Sequence, residues 1–189
     1  SSPNTFRVSN GRVRERTLYG STIEMRNVAD TRGYSDAPPA EPMFEFGVAA
    51  PSSTDATEIT LDWSDFPVVR WVWDGEQYVR FNADTPHNWL DVDANEEQIS
   101  TDTLVVLTAV RYTASPPSGA KGSSVPAMRT TGTGQALLFT EGRLVEGTWE
   151  RASTGVPFQL SLTNGTTMMV PPGRLWVSIF PTNRSLTWE

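Results

Sequence analysis

GTGQALLFTEGRLVEGTW (132–149) and FQLSLTNGTTMMVPPGRLWVSIFP (158–181) read as successive β-hairpins, and they decide the fold class of this chain. Glycines, tryptophans and prolines punctuate both at the places where a sheet must turn or close. Glu141-Gly142 and Asn164-Gly165 separate the runs, where a tight hairpin turn needs residues that tolerate positive φ. Working outward, RLWVSIF (174–180) reads as a closing strand, and LVVLTAVRY (104–112) is apolar enough to lie inside a sheet. VVRWVWDGEQYVRF (68–81) is a further hairpin through Asp74-Gly75, with Val69, Trp71 and Trp73 on one face. Before it, Ile59, Leu61 and Trp63 alternate with Thr60 and Asp62 as a half-buried strand. SPPSGAKGSSVP (115–126) reads as a polar, flexible loop. So many short strands with tight turns predict a mainly β domain, an antiparallel barrel or sandwich.

The N-terminal part differs. NTFRVSNGRVRERTL (4–18) reads as a strand, an Asn10-Gly11 turn and a second extended piece. Ser21 and Glu24 have capping-box spacing, which predicts a short helix from Thr22 to about Thr31, ended by Gly33 at C′. Its apolar stripe, Ile23, Val28 and Ala29, is weak. Residues 34–57 form a long proline-rich loop, pinned to the core by Phe44 and Phe46. The expectation is one domain over all 189 residues.

Composition excludes several classes. An apolar fraction of 38% and 10% aromatics are too high for simple disorder. The net charge of −7 argues against nucleic acid, which needs a basic surface; the densest basic run, RVRER (12–16), reads as a solvated strand or loop. There is no Cys, hence no disulfide, thiolate metal site or Cys nucleophile. No apolar run is long enough to span a membrane as a helix. The start at Ser1-Ser2-Pro3 without Met fits removal of a signal segment or an upstream domain.

A set of segments in order carries a family resemblance: YVRF (78–81), PHNWLDVDANEEQIS (86–100), LVVLTAV (104–110), GTGQALLFTEGRLVEGTW (132–149) and PPGRLWVSIFP (171–181). Across residues 68–181 the chain resembles the C-terminal domain of the YerB-like lipoproteins, the DUF3048 family. NTFRVSNGRVRERTLY fits the start of that domain more loosely. Where the family has Asn before the central strand, this chain has Asp102 and Thr103. The resemblance implies an extracytoplasmic, envelope-associated domain of a bacterial protein whose parent carries a lipid anchor and a separate N-terminal domain. It implies no established activity.

The candidate site residues follow from chemistry. His87 is the only histidine, which rules out a two-histidine metal site. A Ser-His-Asp set with Asp91 or Asp93 is arithmetically allowed, but no GxSxG elbow accompanies it. Asp91, Asp93 and Asn95 offer oxygens at positions 1, 3 and 5 of a calcium loop, with Asp102 at position 12. Glu96 stands where that loop requires Gly, so a turn whose Asx side chains cap their own backbone is the plainer reading. Gly132-Thr133-Gly134 leads into a strand, not a helix, and reads as a bulge or close strand approach rather than a phosphate cradle. Glu146 and Glu150 alternate with Trp149, which places the Trp in the core and the glutamates on the surface. Trp71 and Trp73 read as core, and Trp89, in a polar segment, as exposed and available for sugar or peptide contact.

The expected function is a non-catalytic binding module that recognises a cell-wall polymer or an envelope protein, with His87, Trp89, Asp91, Asp93 and Arg80 as candidate binding residues. No cofactor or catalytic residue is expected, and calcium at Asp91, Asp93 and Asn95 is the sole metal candidate. The alternatives are an envelope hydrolase using Asp91, Asp93 or Glu96, and a domain that structurally supports an N-terminal partner.

Overall fold

The computed structural model describes residues 5–7, 17–35, 37, 41–63, 68–90, 93, 95–114 and 125–189. In chain order the elements are β1 (Thr5–Arg7), β2 (Leu18–Gly20), α1 (Thr22–Thr31), β3 (Glu58–Asp62), β4 (Val69–Trp73), β5 (Tyr78–Asn82) and β6 (Thr85–Pro86). Next come β7 (Asn88–Leu90), β8 (Glu96–Gln98), β9 (Ser100–Thr101), β10 (Thr103–Ala109), β11 (Arg111–Ala114) and β12 (Val125–Met128). The last are β13 (Gly132–Thr140), β14 (Arg143–Arg151), β15 (Gln159–Leu162), β16 (Leu175–Pro181) and β17 (Ser185–Trp188). Two compact units result, one from residues 1–40 and 88–97, the other from 41–87 and 98–189.

The larger unit is a sandwich of two open sheets, and no barrel closes among the described residues. One sheet runs β15-β14-β13-β10-β16, the other β17-β3-β4-β5-β6 with β9 also on β5. Between them lies a core of Ile59, Leu61, Val69, Trp71 and Tyr78 from one sheet, and Leu104, Val106, Leu137, Phe139, Leu144 and Phe180 from the other. Alternation makes this possible, because successive strand side chains point to opposite faces. β10 and β13 are apolar on both faces, since Val105, Leu107, Ala136 and Leu138 enter a second core with Trp149, Leu160, Phe158 and Met168. A near-continuous apolar run is what a strand covered on both sides requires. Each such aliphatic side chain contributes about 1.5–3 kcal/mol on burial.

The turns form as their residues predict. Glu141 and Gly142 have φ of 52° and 70°, the pair of positive values a type I′ hairpin demands. Gly75 and Gly165 take φ of 108° and 84° in their own turns. Asp74 Oδ1 accepts the amides of Glu76 and Gln77, both at 2.9 Å, and those N–H groups hold the Asp74 carboxyl below its usual range.

Several features depart from a simple hairpin series. β16 pairs with β10 in parallel, from Thr103↔Leu175 to Ala109↔Pro181, so the closing strand is not a hairpin partner. The predicted strand over 104–112 breaks at Val110 and resumes as β11, which pairs with β12. β12 takes Val125 and Pro126 out of the predicted loop at 115–126; its other residues, 115–124, lie outside the described residues. β17, which no turn signal announced, pairs with β3 through Leu186↔Leu61 and Trp188↔Ile59. In the segment 41–57, Phe44 is buried and stacks on Phe158 at 5.8 Å, but Phe46 stays exposed because its bridge to Val170 is a backbone contact.

In the smaller unit, β1 pairs antiparallel with β2, and Tyr19 Oη donates to the Leu90 carbonyl at 3.1 Å. The Asn10-Gly11 turn expected between them lies outside the described residues. Helix α1 has Ser21 as N-cap, its Oγ accepting the Glu24 amide at 3.2 Å. The Glu24 carboxylate accepts from Asn27 Nδ2 at 3.4 Å. Gly33, at φ 68°, ends the helix, and Tyr34 N–H returns to the Ala29 carbonyl at 3.0 Å.

Candidate functional site

β5 carries Tyr78, Arg80 and Asn82 on its inward face, because Arg80 pairs directly with Trp71 of β4, itself fully buried. Tyr78 fits that face: its ring is buried, its hydroxyl donates to the Ala56 carbonyl at 2.9 Å, and burial pushes its pKa up. Arg80 is the anomaly. A guanidinium directed between two sheets loses water and needs compensation.

The backbone fixes this residue tightly. Arg80 N–H donates to the Ile99 carbonyl, Ile99 N–H to the His87 carbonyl, and His87 N–H back to the Arg80 carbonyl, each at 2.9 Å. These three bonds form a closed ring among three chain segments. Gln98 Nε2 also donates to the Arg80 carbonyl at 2.9 Å.

The side chain is less completely satisfied. Its guanidinium lies 5.9 Å from the Trp71 ring and 5.5 Å from that of Trp176, which β16 brings to the site. Nη1 donates to Asn82 Oδ1 at 3.1 Å and to Nδ1 of His87. With a cationic donor facing Nδ1, the neutral imidazole carries its proton on Nε2. Nε is buried without a hydrogen-bond partner. No carboxylate among the described residues pairs with Arg80, and burial lowers its pKa. The compensation is the two Nη1 hydrogen bonds together with weak cation–π attraction, the latter at roughly 0.5–2 kcal/mol per contact.

Arg80 and His87 are therefore brought together, but the other sequence candidates fall in the smaller unit. Trp89, on β7, is 48% exposed. Asp93 and Asn95 are exposed, and Asp91 lies outside the described residues. Asn88 Nδ2 donates to Glu96 there at 3.0 Å. Asp102 belongs to the sandwich, where its Oδ2 accepts the Arg174 amide at 2.7 Å and so ties the start of β10 to β16. No group of three His, Asp or Glu side chains gathers as a metal site among the described residues.

The remaining motifs are architectural. Trp149 is buried, its indole N–H donating to the Thr108 carbonyl at 2.9 Å, and Glu146 and Glu150 are exposed. Gly134 lies beneath that indole, where a Cβ would come within 2.4 Å of Nε1 and 2.2 Å of the Thr108 oxygen. A close strand approach is what this glycine permits. Two cavities open elsewhere: about 470 Å³ bounded by Glu41, Phe44, Glu150 and Phe158, and about 670 Å³ bounded by Val48, Pro51, Arg143 and Pro171.

Sequence reasoning named Arg80 and His87 but not Trp176, Gln98 or Ile99. β16 reaches Arg80 only through its parallel pairing with β10, which no local pattern encodes. Arg80 itself left a readable mark, a charge at an inward position of an alternating strand.

The fold and this cluster define a β-sandwich domain with a half-buried arginine beside two tryptophan rings. Residues 59–177 match the C-terminal domain model of the protein of unknown function family DUF3048, and the chain belongs to that family. Its fold is similar to the crystal structure of YerB protein from Bacillus subtilis, with a TM-score of 0.72 and 15% sequence identity. The match covers 99% of this chain and 60% of that one, so this chain spans only part of the length of YerB. No curated protein matches the sequence.

Proposed function

We propose that this chain is a non-catalytic binding module of a bacterial cell-envelope lipoprotein, and that it recognises cell-wall polymer outside the cytoplasm. Arg80 is the observation that carries the reading. It is a cation turned toward the sandwich interior, set rigidly by backbone hydrogen bonds, and left without a carboxylate partner among the described residues. A half-buried cation without a carboxylate partner is suited to an anionic group on a ligand. The exposed ring of Trp89 offers a second contact surface of the kind that stacks on sugars or peptides. The resemblance to lipoproteins supports an extracytoplasmic setting.

Co-sedimentation with purified cell-wall sacculi tests this reading, with the supernatant assayed for released fragments. Saturable pelleting without release is the expected result. Release that depends on a carboxylate would replace binding with hydrolysis. Failure to pellet would remove cell-wall polymer as the partner and leave an envelope protein to be sought.

A further inference from the structure

We propose that the cavity of about 470 Å³ beside Phe44 and Phe158 binds an alkylammonium group, an amine cation carried on an aliphatic stem. Phe44 and Phe158 belong to the second core, not to the one between the sheets that Arg80 faces. The site is therefore separate from Arg80 and does not depend on it.

The apolar part comes from packing. Phe44 and Phe158 stack at 5.8 Å, and Trp149 meets the Phe158 ring edge-on at 5.4 Å. Both phenylalanines are buried and form the floor, while Pro42, Ala152 and Val156 stand exposed as walls. Backbone bonds fix the segments that bound it. Phe158 N–H donates to the Met43 carbonyl at 3.1 Å, and Val170 N–H to the Glu45 carbonyl at 2.9 Å. The opening is set by the fold, and its volume falls within the roughly 300–1,000 Å³ of small-molecule sites.

The charge comes from Glu41, Glu45 and Glu150, which line this cavity from two segments far apart in sequence. All are exposed, and none makes a side-chain hydrogen bond or ion pair among the described residues. Arg151 lines the same cavity but is committed elsewhere. Its Nε–H donates to the Val156 carbonyl and its Nη2–H to the Thr154 carbonyl, both at 2.7 Å. Its guanidinium also lies 4.7 Å from the centre of the Phe158 ring. The arginine thus braces its own loop and leaves the carboxylates around the aromatic floor unpaired.

That combination selects the ligand. A rim with three carboxylates and one guanidinium repels anions, and an apolar floor gives a bare metal ion no ligands. An ammonium on an aliphatic stem satisfies both parts: the stem covers the apolar surface, and three N–H donors reach the carboxylate oxygens. The position of Arg151 shows that the Phe158 ring already attracts a cation through its face. Such a group occurs on a lysine-like side chain of a peptide and on a free diamine, with the same chemistry at the cavity.

Nα-acetyl-lysine amide represents the peptide source, putrescine the free diamine, and Nα-acetyl-norleucine amide the same stem without charge. Each is titrated into the intact chain by calorimetry. One or both amines should bind saturably, roughly 10-fold more tightly than the norleucine derivative, and whichever binds identifies the source. Glu45→Gln and Glu150→Gln should each weaken that binding roughly 3-fold, and together roughly 10-fold. Glu76→Gln, the same charge change on the exposed β4–β5 turn, should leave it unchanged. Absence of saturable binding by both amines would overturn the proposal, as would an equal response to the norleucine derivative. Full binding by the folded Glu45→Gln/Glu150→Gln double variant would do the same. Equal weakening by Glu76→Gln would reduce the effect to diffuse attraction by a chain of net charge −7, and the site would fall.

Discussion

On the outer face of the β4–β5 hairpin, Arg70 donates Nε–H and Nη2–H to the two Glu58 oxygens at 2.7 and 2.8 Å, and Nη1–H to Asp84 at 3.1 Å. On the inner face, Arg80 meets two tryptophan rings, an asparagine and a histidine, and no carboxylate among the described residues. The protonation chemistry diverges accordingly. The Glu58 hydrogen bonds raise the pKa of Arg70, whereas burial lowers that of Arg80. Arg70 shows how this hairpin holds an arginine as part of its structure, in a bidentate pair at the solvent edge. Arg80 departs from that arrangement at a position where an apolar residue would continue the core. A departure from local consistency at one position of an otherwise regular sandwich is the expected mark of a functional residue.

The comparison depends first on the inner face being held by apolar packing. Phe139→Ala, at a fully buried inter-sheet position, should lower the unfolding free energy by about 3–5 kcal/mol in urea denaturation. A much smaller loss would mean the sheets are held together by something other than that core. Next in size is Gly147→Ala. A Cβ there would come within 2.1 Å of the Ser161 carbonyl oxygen, so β14 and β15 must separate, and a loss of roughly 1–3 kcal/mol should appear in the same assay.

The outer face should respond more weakly. Glu58→Gln removes one charge of a partly exposed pair, and a loss of at most ~1 kcal/mol is expected at pH 7. Its pH dependence has a defined sign. The Arg70 hydrogen bonds hold the Glu58 pKa below its ordinary 4.5, so the stabilisation is present above that value and disappears as pH falls through the folded pKa. Thermal melts of the two proteins should differ at neutral pH and converge in acid. A gap that persists unchanged in acid would show that Glu58 acts through packing rather than charge.

What the sequence made legible was local. Alternation at Ile59 and Leu61, the Asp74-Gly75 and Glu141-Gly142 turns, and the Ser21 cap depend on residues a few positions apart, and each formed as expected. The face of Trp149 was legible for the same reason. Long-range pairing was not: the parallel register of β16 on β10 and the addition of β17 to β3 join residues far apart in sequence. The site divided along that line. Arg80 and His87 are seven residues apart across a turn, and their proximity follows from local strand grammar. Trp176 and Ile99 reach them only through sheet assembly.

The most direct measurement is the stability of Arg80→Met by urea unfolding, with sacculus co-sedimentation on the same preparation. Methionine has similar length and no charge, and replacing a half-buried inward cation that has no carboxylate partner among the described residues with an apolar side chain is expected to leave stability unchanged or raise it. Stability retained or increased, with pelleting lost, is the result expected of a residue kept for its ligand. A loss of more than ~2 kcal/mol with pelleting intact would contradict it, and would make Arg80 a structural post between the sheets.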